Sequence, residues 1–122
     1  MMMNFTTKTA LITGAATGIG AASARKLCEQ KVAALILLDI AAPTLQLLAD
    51  ELTSEFPTTR VLTCIADIAN EQALRSALQP LLQQLERVDI LVNSAGVGDE
   101  NEPEETNIWH KVLGINLHGT YH

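Results

Sequence analysis

Residues 13–20 read Thr-Gly-Ala-Ala-Thr-Gly-Ile-Gly, between an apolar run and a stretch of helical period. In such a turn, Gly14 allows a tight exit from the strand, Gly18 lets a ligand approach the backbone, and Gly20 lets the helix pack near the sheet. Free N–H groups and a positive dipole end at the helix start attract anions. The spacing G-x-x-x-G-x-G in this context predicts a turn that binds the phosphates of a dinucleotide; the alternative is a glycine turn without a ligand.

A carboxylate ends the second apolar run. Asp39 lies about 20 residues beyond the last glycine, where a carboxylate accepts hydrogen bonds from the adenosine ribose of NAD. A 2′-phosphate would meet like charge there, the glycine turn has no Arg or Lys, and Ile40 and Ala41 follow Asp39. These facts predict NAD rather than NADP as the cofactor. The alternative is an aspartate that merely ends a strand at a turn.

Apolar runs alternate with stretches of helical period along the chain. The predicted strands are Ala10–Thr13, Ala34–Leu38, Val61–Ala66 and Ile90–Val92, and the predicted helices are Gly18–Gln30, Pro43–Phe56, Asn70–Leu85 and one from about Asn107. Strands that alternate with helices imply parallel pairing through right-handed crossovers. The predicted fold class is α/β: a Rossmann-type doubly wound parallel sheet, incomplete, with strand order 3-2-1-4 and a following helix, in one partial NAD(P)-binding domain over residues 1–122.

The helical stretches carry predicted core faces and end signals. The predicted core residues are Ile19, Ala22 and Leu27 in the first helix, Leu45, Leu48, Leu52 and Phe56 in the second, and Leu74, Leu78, Leu81 or Leu82, and Leu85 in the third. Asn70 is a predicted N-cap, and Pro80 predicts a kink or a break. The first helix must end without a glycine C-cap, because Lys31–Ala34 follows it.

Composition excludes several classes of protein. The 122 residues are 48% apolar and 18% charged, which argues against disorder, and the net charge of -6 argues against general nucleic-acid binding. No signal peptide is recognised at the start, and the longest apolar block, Val32–Leu38, is too short to cross a membrane. Cys28 and Cys64 are expected to be buried, reduced thiols. We therefore expect a cytoplasmic protein.

With these features in place, the sequence resembles the short-chain dehydrogenase/reductase family over nearly its whole length. The stretch Thr13–Gly20 resembles the cofactor loop of the family, and Asp39 resembles the acidic residue of its NAD-preferring members. Asp67 and Ile68 resemble the pair that holds the adenine ring through a carboxylate and the following amide. The cofactor-binding residues that the resemblance and the glycine turn together imply are Thr13, Gly14, Thr17, Gly18, Ile19, Gly20, Asp39, Ile40, Asp67, Ile68, Asn93, Ala95, Gly96 and Ile115.

The end of the fourth strand resembles a further family motif, Asn-Asn-Ala-Gly. In Asn93–Gly96, the resemblance implies that Asn93 braces the sheet, while Ala95 and Gly96 lie along the cofactor. Ser94 stands where the motif has its second Asn, which puts one local hydrogen bond in doubt.

The last part of the chain resembles the Trp-to-Asn helix of the family. In Trp109–Leu117, Asn116 matches the asparagine of the catalytic tetrad, which holds a water in a proton relay, and Ile115 would line the nicotinamide side. The catalytic Ser and Tyr-x-x-x-Lys of the family come after this helix, in chains about twice as long as this one. Tyr121 comes too soon after Asn116 to be that tyrosine, so we interpret it as an ordinary helix residue.

The resemblance implies hydride transfer between a nicotinamide cofactor and a secondary alcohol or ketone. Without the catalytic Ser and Tyr-x-x-x-Lys, the chain as given is expected to bind NAD, and catalysis would require residues beyond His122. The alternatives are a non-enzymatic dinucleotide-binding module or inactive fragment and, less favoured, a flavodoxin-like protein. A homo-oligomer is expected only by analogy with the family, and no nucleic-acid or membrane partner is expected.

Three further expectations concern the fourth strand, a metal site and an acidic stretch. The fourth strand, Ile90–Val92, is expected to be an uncovered apolar edge, which predicts poor solubility. His118 and His122 have i, i+4 spacing on the expected last helix, but no third ligand is placed by the sequence, so no metal site is predicted. The acidic stretch Gly98–Glu105 is expected to be a solvated connection, with a lip over the ligand site as the alternative.

Overall fold

The structure, a computed structural model, describes residues 5–16, 18–85, 87–94 and 119–121. The strands are β1 (Thr9–Thr13), β2 (Ala34–Asp39), β3 (Arg60–Ile65), β4 (Ile90–Asn93) and β5 (Gly119–Tyr121), and the helices are α1 (Gly18–Glu29), α2 (Ala42–Glu55) and α3 (Glu71–Leu85). All pairs are parallel, in the order β3-β2-β1-β4-β5. The predicted α/β class and the strand order 3-2-1-4 are confirmed.

The sheet has apolar layers on both faces because its central strands are apolar at successive positions. One core cluster joins alternate strand residues with α1 and α2, and includes Ala10, Ile12, Leu35, Leu37, Ala24, Leu45 and Leu52. The other joins the intervening strand residues with α3, and includes Leu11, Ile36, Leu38, Leu91, Leu74 and Leu78. Successive side chains of a strand point to opposite faces, so continuous apolar runs fill both layers.

The predicted core face of α1 is wrong for two of its three residues. The buried residues are Gly20, Ala24 and Cys28, whereas Ile19 is 64% exposed and Ala22 is also exposed. The third predicted residue, Leu27, is partly buried and packs against the core. Small residues spaced by four let the helix axis approach the sheet closely, and this close contact sets the rotation of the helix. The predicted apolar faces of α2 and α3 are confirmed, with the larger leucines at the sheet.

Helix α3 begins as predicted but does not break. The Oδ1 atom of Asn70 accepts a hydrogen bond from the N–H of Ala73 at 3.0 Å, which confirms the N-cap. The helix continues through Pro80 to its end, so the expected break is wrong. Leu78 and Leu82, on either side of the proline, both pack in the α3 core cluster. This packing stabilises the helix although Pro80 donates no backbone hydrogen bond.

Strand β5 corrects two expectations. It pairs with β4 from Ile90 opposite Gly119 to Val92 opposite Tyr121, so β4 is not an edge strand. The expectation of poor solubility therefore loses its basis. Tyr121 lies in a strand rather than in a helix. Sheet pairing prevails here because threonine and tyrosine favour strands, glycine disfavours helices, and the apolar strand β4 offers a partner.

The strand at Gly119–Tyr121 also changes the interpretation of the flanking histidines. The three residues between His118 and His122 are extended, so the expected helix does not run through Gly119–Tyr121. Both histidines lie outside the described residues, as do the stretch Gly98–Glu105 and the expected helix Trp109–Leu117. In the parts of the chain that are described, no helix is long and apolar enough to cross a bilayer.

Helix α1 ends without glycine, as predicted. A lysine with a strained backbone conformation takes the place of the glycine. Lys31 has a φ of +63°, in the left-handed region that favours glycine. Its N–H donates to the carbonyl of Cys28 at 2.9 Å, and the N–H of Val32 donates to the carbonyl of Leu27 at 3.1 Å. This pair of hydrogen bonds is a Schellman motif with lysine at the position after the C-cap.

We expect Lys31→Gly to raise the free energy of unfolding by roughly 0.5–1 kcal/mol, because glycine adopts positive φ without the Cβ clash. Urea unfolding measures the change. Lys31→Ala removes the same charge while keeping the strain, so it is expected to give no gain. Equal stabilisation by alanine and glycine would contradict the backbone explanation.

The two cysteines are buried, as expected. Cys28 is 1% exposed and Cys64 is 3% exposed, and both are free thiols. Burial raises the pKa of each thiol from 9.0 to about 11, because a thiolate would lose its hydration.

At pH 8 we therefore expect neither thiol to react with an aromatic disulfide reagent until urea unfolds the chain. Because both folded-state pKa values lie above the ordinary value, the free energy of unfolding is expected to fall as the pH rises from 9 towards 11. Thiol titration with and without urea, and unfolding curves across this pH range, check both statements. Rapid reaction of two thiols per folded chain would contradict them.

Candidate dinucleotide-binding site

A small cavity lies at the carboxyl ends of the first three strands. Its volume is about 100 Å³, and its lining residues are Gly14, Leu38, Asp39, Ile40, Ala66, Asp67 and Ile68. Parallel strands end at the same edge of a sheet, and β1 lies beside β2, which lies beside β3. The fold thus joins five of the predicted site residues, from three separate parts of the sequence, around one cavity.

The glycine turn after β1 has the backbone geometry that the sequence predicted. Gly14 has a φ of +63° and Gly18 has a φ of +50°, both in the left-handed region. A Cβ atom at Gly18 would meet no other atom within 4 Å, so the space in front of this residue is open. The N–H of Ala15 donates to the carbonyl of Leu38 at 3.1 Å, which joins the turn to the end of β2.

Gly20 has a different role, since it lies in the closest contact between the turn and α1. A Cβ atom there would clash with the backbone carbonyl of Gly14 and would lie 2.7 Å from Oγ of Ser94. Gly20 is buried, and α1 begins only two residues before it. The absence of a side chain at Gly20 therefore lets the first turn of α1 lie directly against the glycine turn.

Asp39 is fixed by two backbone hydrogen bonds. Its Oδ2 atom accepts the N–H of Ala16 in the glycine turn at 3.0 Å, and its Oδ1 atom accepts the N–H of Ala41 at 3.0 Å. The residue is half-buried, and each carboxylate oxygen can accept a second hydrogen bond. Asp39 lines the cavity, and its carboxylate keeps acceptor capacity for hydroxyl groups.

The wall formed after β3 is apolar with one carboxylate. Asp67 is exposed, and its Oδ1 atom accepts the N–H of Ala69 at 2.9 Å, which stabilises the turn into α3. Ile68 is half-buried against the α3 core cluster, and Ile40, which also lines the cavity, is 67% exposed. Two isoleucines in the lining of one cavity suit a flat aromatic ring.

The end of β4 is fastened to the end of β1. The Oγ1 atom of Thr13 donates to Oδ1 of Asn93 at 2.8 Å, and both residues are buried. The hydroxyl of Ser94 donates to the backbone carbonyl of Thr13. The local hydrogen bond that the Asn-to-Ser departure put in doubt thus has a counterpart here.

Some expected site residues are either not described by the structure or do not line the cavity. Thr17, Ala95, Gly96, Ile115 and Asn116 lie outside the described residues. Ile19 is exposed in the first turn of α1, and it does not line the cavity. Within the described ranges, no group of three or more His, Cys, Asp or Glu residues could hold a metal ion.

Sequence reasoning missed the two backbone donors that orient Asp39. Ala16 and Ala41 act through their N–H groups, so their side chains give no signal. The only sequence signal is indirect: a carboxylate that ends a strand beside a glycine turn can accept hydrogen bonds from that turn.

Comparison with known proteins identifies relatives of this α/β chain. The sequence model of the short chain dehydrogenases matches residues 8–122. D-threitol dehydrogenase of Mycolicibacterium smegmatis is 38% identical over 116 residues, which cover 93% of this chain and 44% of that protein. Human 15-hydroxyprostaglandin dehydrogenase (NAD(+)) is 37% identical over 123 aligned positions, which cover 98% of this chain and 44% of that protein.

A solved structure of a reductase is also similar to this chain. L-sorbose reductase of Gluconobacter frateurii, complexed with NADPH and L-sorbose, superposes with a TM-score of 0.79 at 26% identity, over 93% of this chain and 48% of that chain. The chain therefore has a Rossmann-type α/β fold. The chain belongs to the short-chain dehydrogenase family, in which relatives bind nicotinamide dinucleotides. It spans less than half the length of the curated relatives described above.

We expect Gly20→Ala to lower the free energy of unfolding by about 1–3 kcal/mol, because the new methyl group would overpack the contact with Gly14 and Ser94. This is the opposite of the usual gain when alanine replaces glycine in a helix. Urea unfolding measures it, and Ser23→Ala, in the same helix, controls for helix propensity. A Gly20→Ala chain as stable as the unaltered one would show that this contact is not tight.

Proposed function

We propose that this chain is the NAD-binding part of a short-chain dehydrogenase that transfers hydride between nicotinamide and a secondary alcohol or ketone. The observation that supports this most is the meeting of Gly14, Asp39 and Asp67 around one cavity, with the carboxylate of Asp39 fixed by backbone donors. In this proposal the adenosine half of the cofactor lies in the cavity, and its pyrophosphate lies over the glycine turn and the start of α1.

The proposed roles follow the position of each residue in the fold. Asp39 accepts hydrogen bonds from the ribose hydroxyls, and Asp67 and Ile68 hold the adenine ring with Ile40 beside it. The remaining proposed cofactor-binding residues are Thr13, Gly14, Thr17, Gly18, Ile19, Gly20, Asn93, Ala95, Gly96 and Ile115. Thr13 and Asn93 contribute by bracing the strand ends that carry the turn.

The preference for NAD rests on the carboxylate of Asp39. If this side chain rotated away from a 2′-phosphate, the N–H groups of Ala16 and Ala41 would lose their acceptor. Residues that line the cavity in the described part of the chain include no Lys or Arg to balance a phosphate. Relatives use either cofactor, since the human enzyme is named for NAD(+) and the sorbose reductase binds NADPH. The proposed preference for NAD over NADP therefore depends on Asp39.

The proposed reaction divides between cofactor and protein. The bound nicotinamide carries the hydride, while the protein orients the ring and moves a proton. Asn116 is the proposed catalytic residue in this chain, and its amide can hold a water but cannot act as a general base. The residues after it, Leu-His-Gly-Thr-Tyr-His, contain no Tyr-x-x-x-Lys. We therefore propose cofactor binding for this chain and turnover for the whole protein.

We expect Asp39→Ala to weaken NAD⁺ binding by about 1–3 kcal/mol, roughly 5- to 150-fold in Kd, through the loss of hydrogen bonds to the ribose. Isothermal titration of residues 1–122 with NAD⁺ and NADP⁺ measures both affinities. NADP⁺ is expected to lose less, because like charge at the 2′-phosphate is removed as well.

Asp50→Ala is the matched control, since Asp50 is an exposed carboxylate on α2 that does not line the cavity. An unchanged NAD⁺ affinity in a folded Asp39→Ala chain would remove Asp39 from the site.

A further inference from the structure

Ser94 occupies the junction between the end of β4 and the glycine turn. It follows Asn93, the last paired residue of β4, which lies opposite Thr13 in the sheet register. The carbonyl of Thr13 accepts its hydroxyl hydrogen, and the carbonyl oxygen of Gly14 lies 3.5 Å from its Oγ atom. The side chain thus contacts the backbone at the point where the chain leaves β1.

We propose that Ser94 is a positioning residue for the pyrophosphate of the cofactor. Its hydroxyl fixes the carbonyl end of β1 and, through it, the path of the glycine turn that presents N–H groups to the phosphates. The inference rests on the proposed function, because it concerns the same bound dinucleotide. Ser94 itself touches neither substrate nor cofactor in this proposal.

Thr13 is held at two separate points. Its side-chain hydroxyl donates to Asn93 at 2.8 Å, and its backbone carbonyl accepts from Ser94. The first contact fixes the strand, whereas the second fixes the peptide plane between Thr13 and Gly14. Since Gly14 adopts a positive φ immediately afterwards, the orientation of this peptide plane determines where the turn goes.

Packing supports the same role. A Cβ atom at Gly20 would lie 2.7 Å from Oγ of Ser94 and would clash with the carbonyl of Gly14. The hydroxyl therefore lies between the glycine turn and the first turn of α1, the two segments whose N–H groups face the phosphates. A small side chain with one donor fits this position.

The adenosine end of the site meets the glycine turn only at Gly14. The other lining residues of the cavity follow or end β2 and β3, and Ser94 is not among them. The affinity for adenosine should therefore depend little on the hydroxyl, while the affinity for ligands that carry a pyrophosphate should depend on it. General destabilisation of the fold would not separate these two groups of ligands.

The test compares NAD⁺, ADP and adenosine on residues 1–122 by isothermal titration, with adenosine measured by competition against NAD⁺. We expect Ser94→Ala to weaken the binding of NAD⁺ and of ADP roughly three- to tenfold, as the loss of one hydrogen bond implies. The affinity for adenosine should stay within about twofold of its original value. Ser94→Thr keeps the hydroxyl and is expected to retain NAD⁺ affinity within about twofold. Ser76→Ala makes the same chemical change at an exposed position of α3 and should change nothing.

Each outcome separates the positioning role from the others. Equal weakening of all three ligands by Ser94→Ala would overturn the proposal and indicate a structural role only. If Ser94→Ala leaves the affinities for NAD⁺ and ADP unchanged, while the separate Asp39→Ala variant does weaken NAD⁺ binding, the positioning role is overturned and the proposed function stays intact. If Ser94→Thr, folded as judged by its unfolding curve, loses as much as Ser94→Ala, the hydroxyl is not the cause. If the unaltered chain binds neither NAD⁺ nor adenosine, the proposed function fails and this inference fails with it.

Discussion

The structure depends on one close contact, between the carbonyl of Gly14 and the backbone of Gly20. The chain must leave β1, reverse, and start α1 within a few residues, and it must keep the first N–H groups of the helix open. Only a glycine lets the helix come this near, and positive φ at Gly14 and Gly18 bends the turn around the space in front. The buried face of α1 follows from this contact, because small residues must continue along the same line.

Hydrogen bonds from the neighbouring strands hold this turn in place. Asp39 fixes it from β2 through Ala16, and Thr13 is tied to β4 through the side chain of Asn93. The parallel order of the strands brings these groups together, since each comes at a carboxyl end. In the proposed complex, the carboxylate of Asp39 would orient the turn under the phosphates and also accept hydrogen bonds from the ribose, and so would join recognition of the two parts of the cofactor.

Much of this could be predicted from the sequence, for physical reasons. Continuous apolar runs separated by helical stretches determine a parallel sheet, and adjacent parallel strands place Gly14 beside Asp39. Periodicity failed at the start of α1, because close backbone contact outweighs the burial of a large side chain such as Ile19. It failed again at Tyr121, where pairing with β4 decides the structure. The donors of Ala16 and Ala41 could not be predicted, since every residue except proline has a backbone N–H group.

In the proposed complex, the carboxyl ends of β1, β2 and β3 hold the adenosine half of a dinucleotide. An amide NMR titration of ¹⁵N-labelled chain with NAD⁺, compared with nicotinamide mononucleotide, which lacks adenosine, tests this directly. If the adenosine half binds there, NAD⁺ shifts the amide signals of Gly14, Ala16, Ala41 and Ile68, while the mononucleotide leaves those of Ala41 and Ile68 unmoved. NAD⁺ shifts confined to other parts of the chain, or none at millimolar ligand, would contradict it.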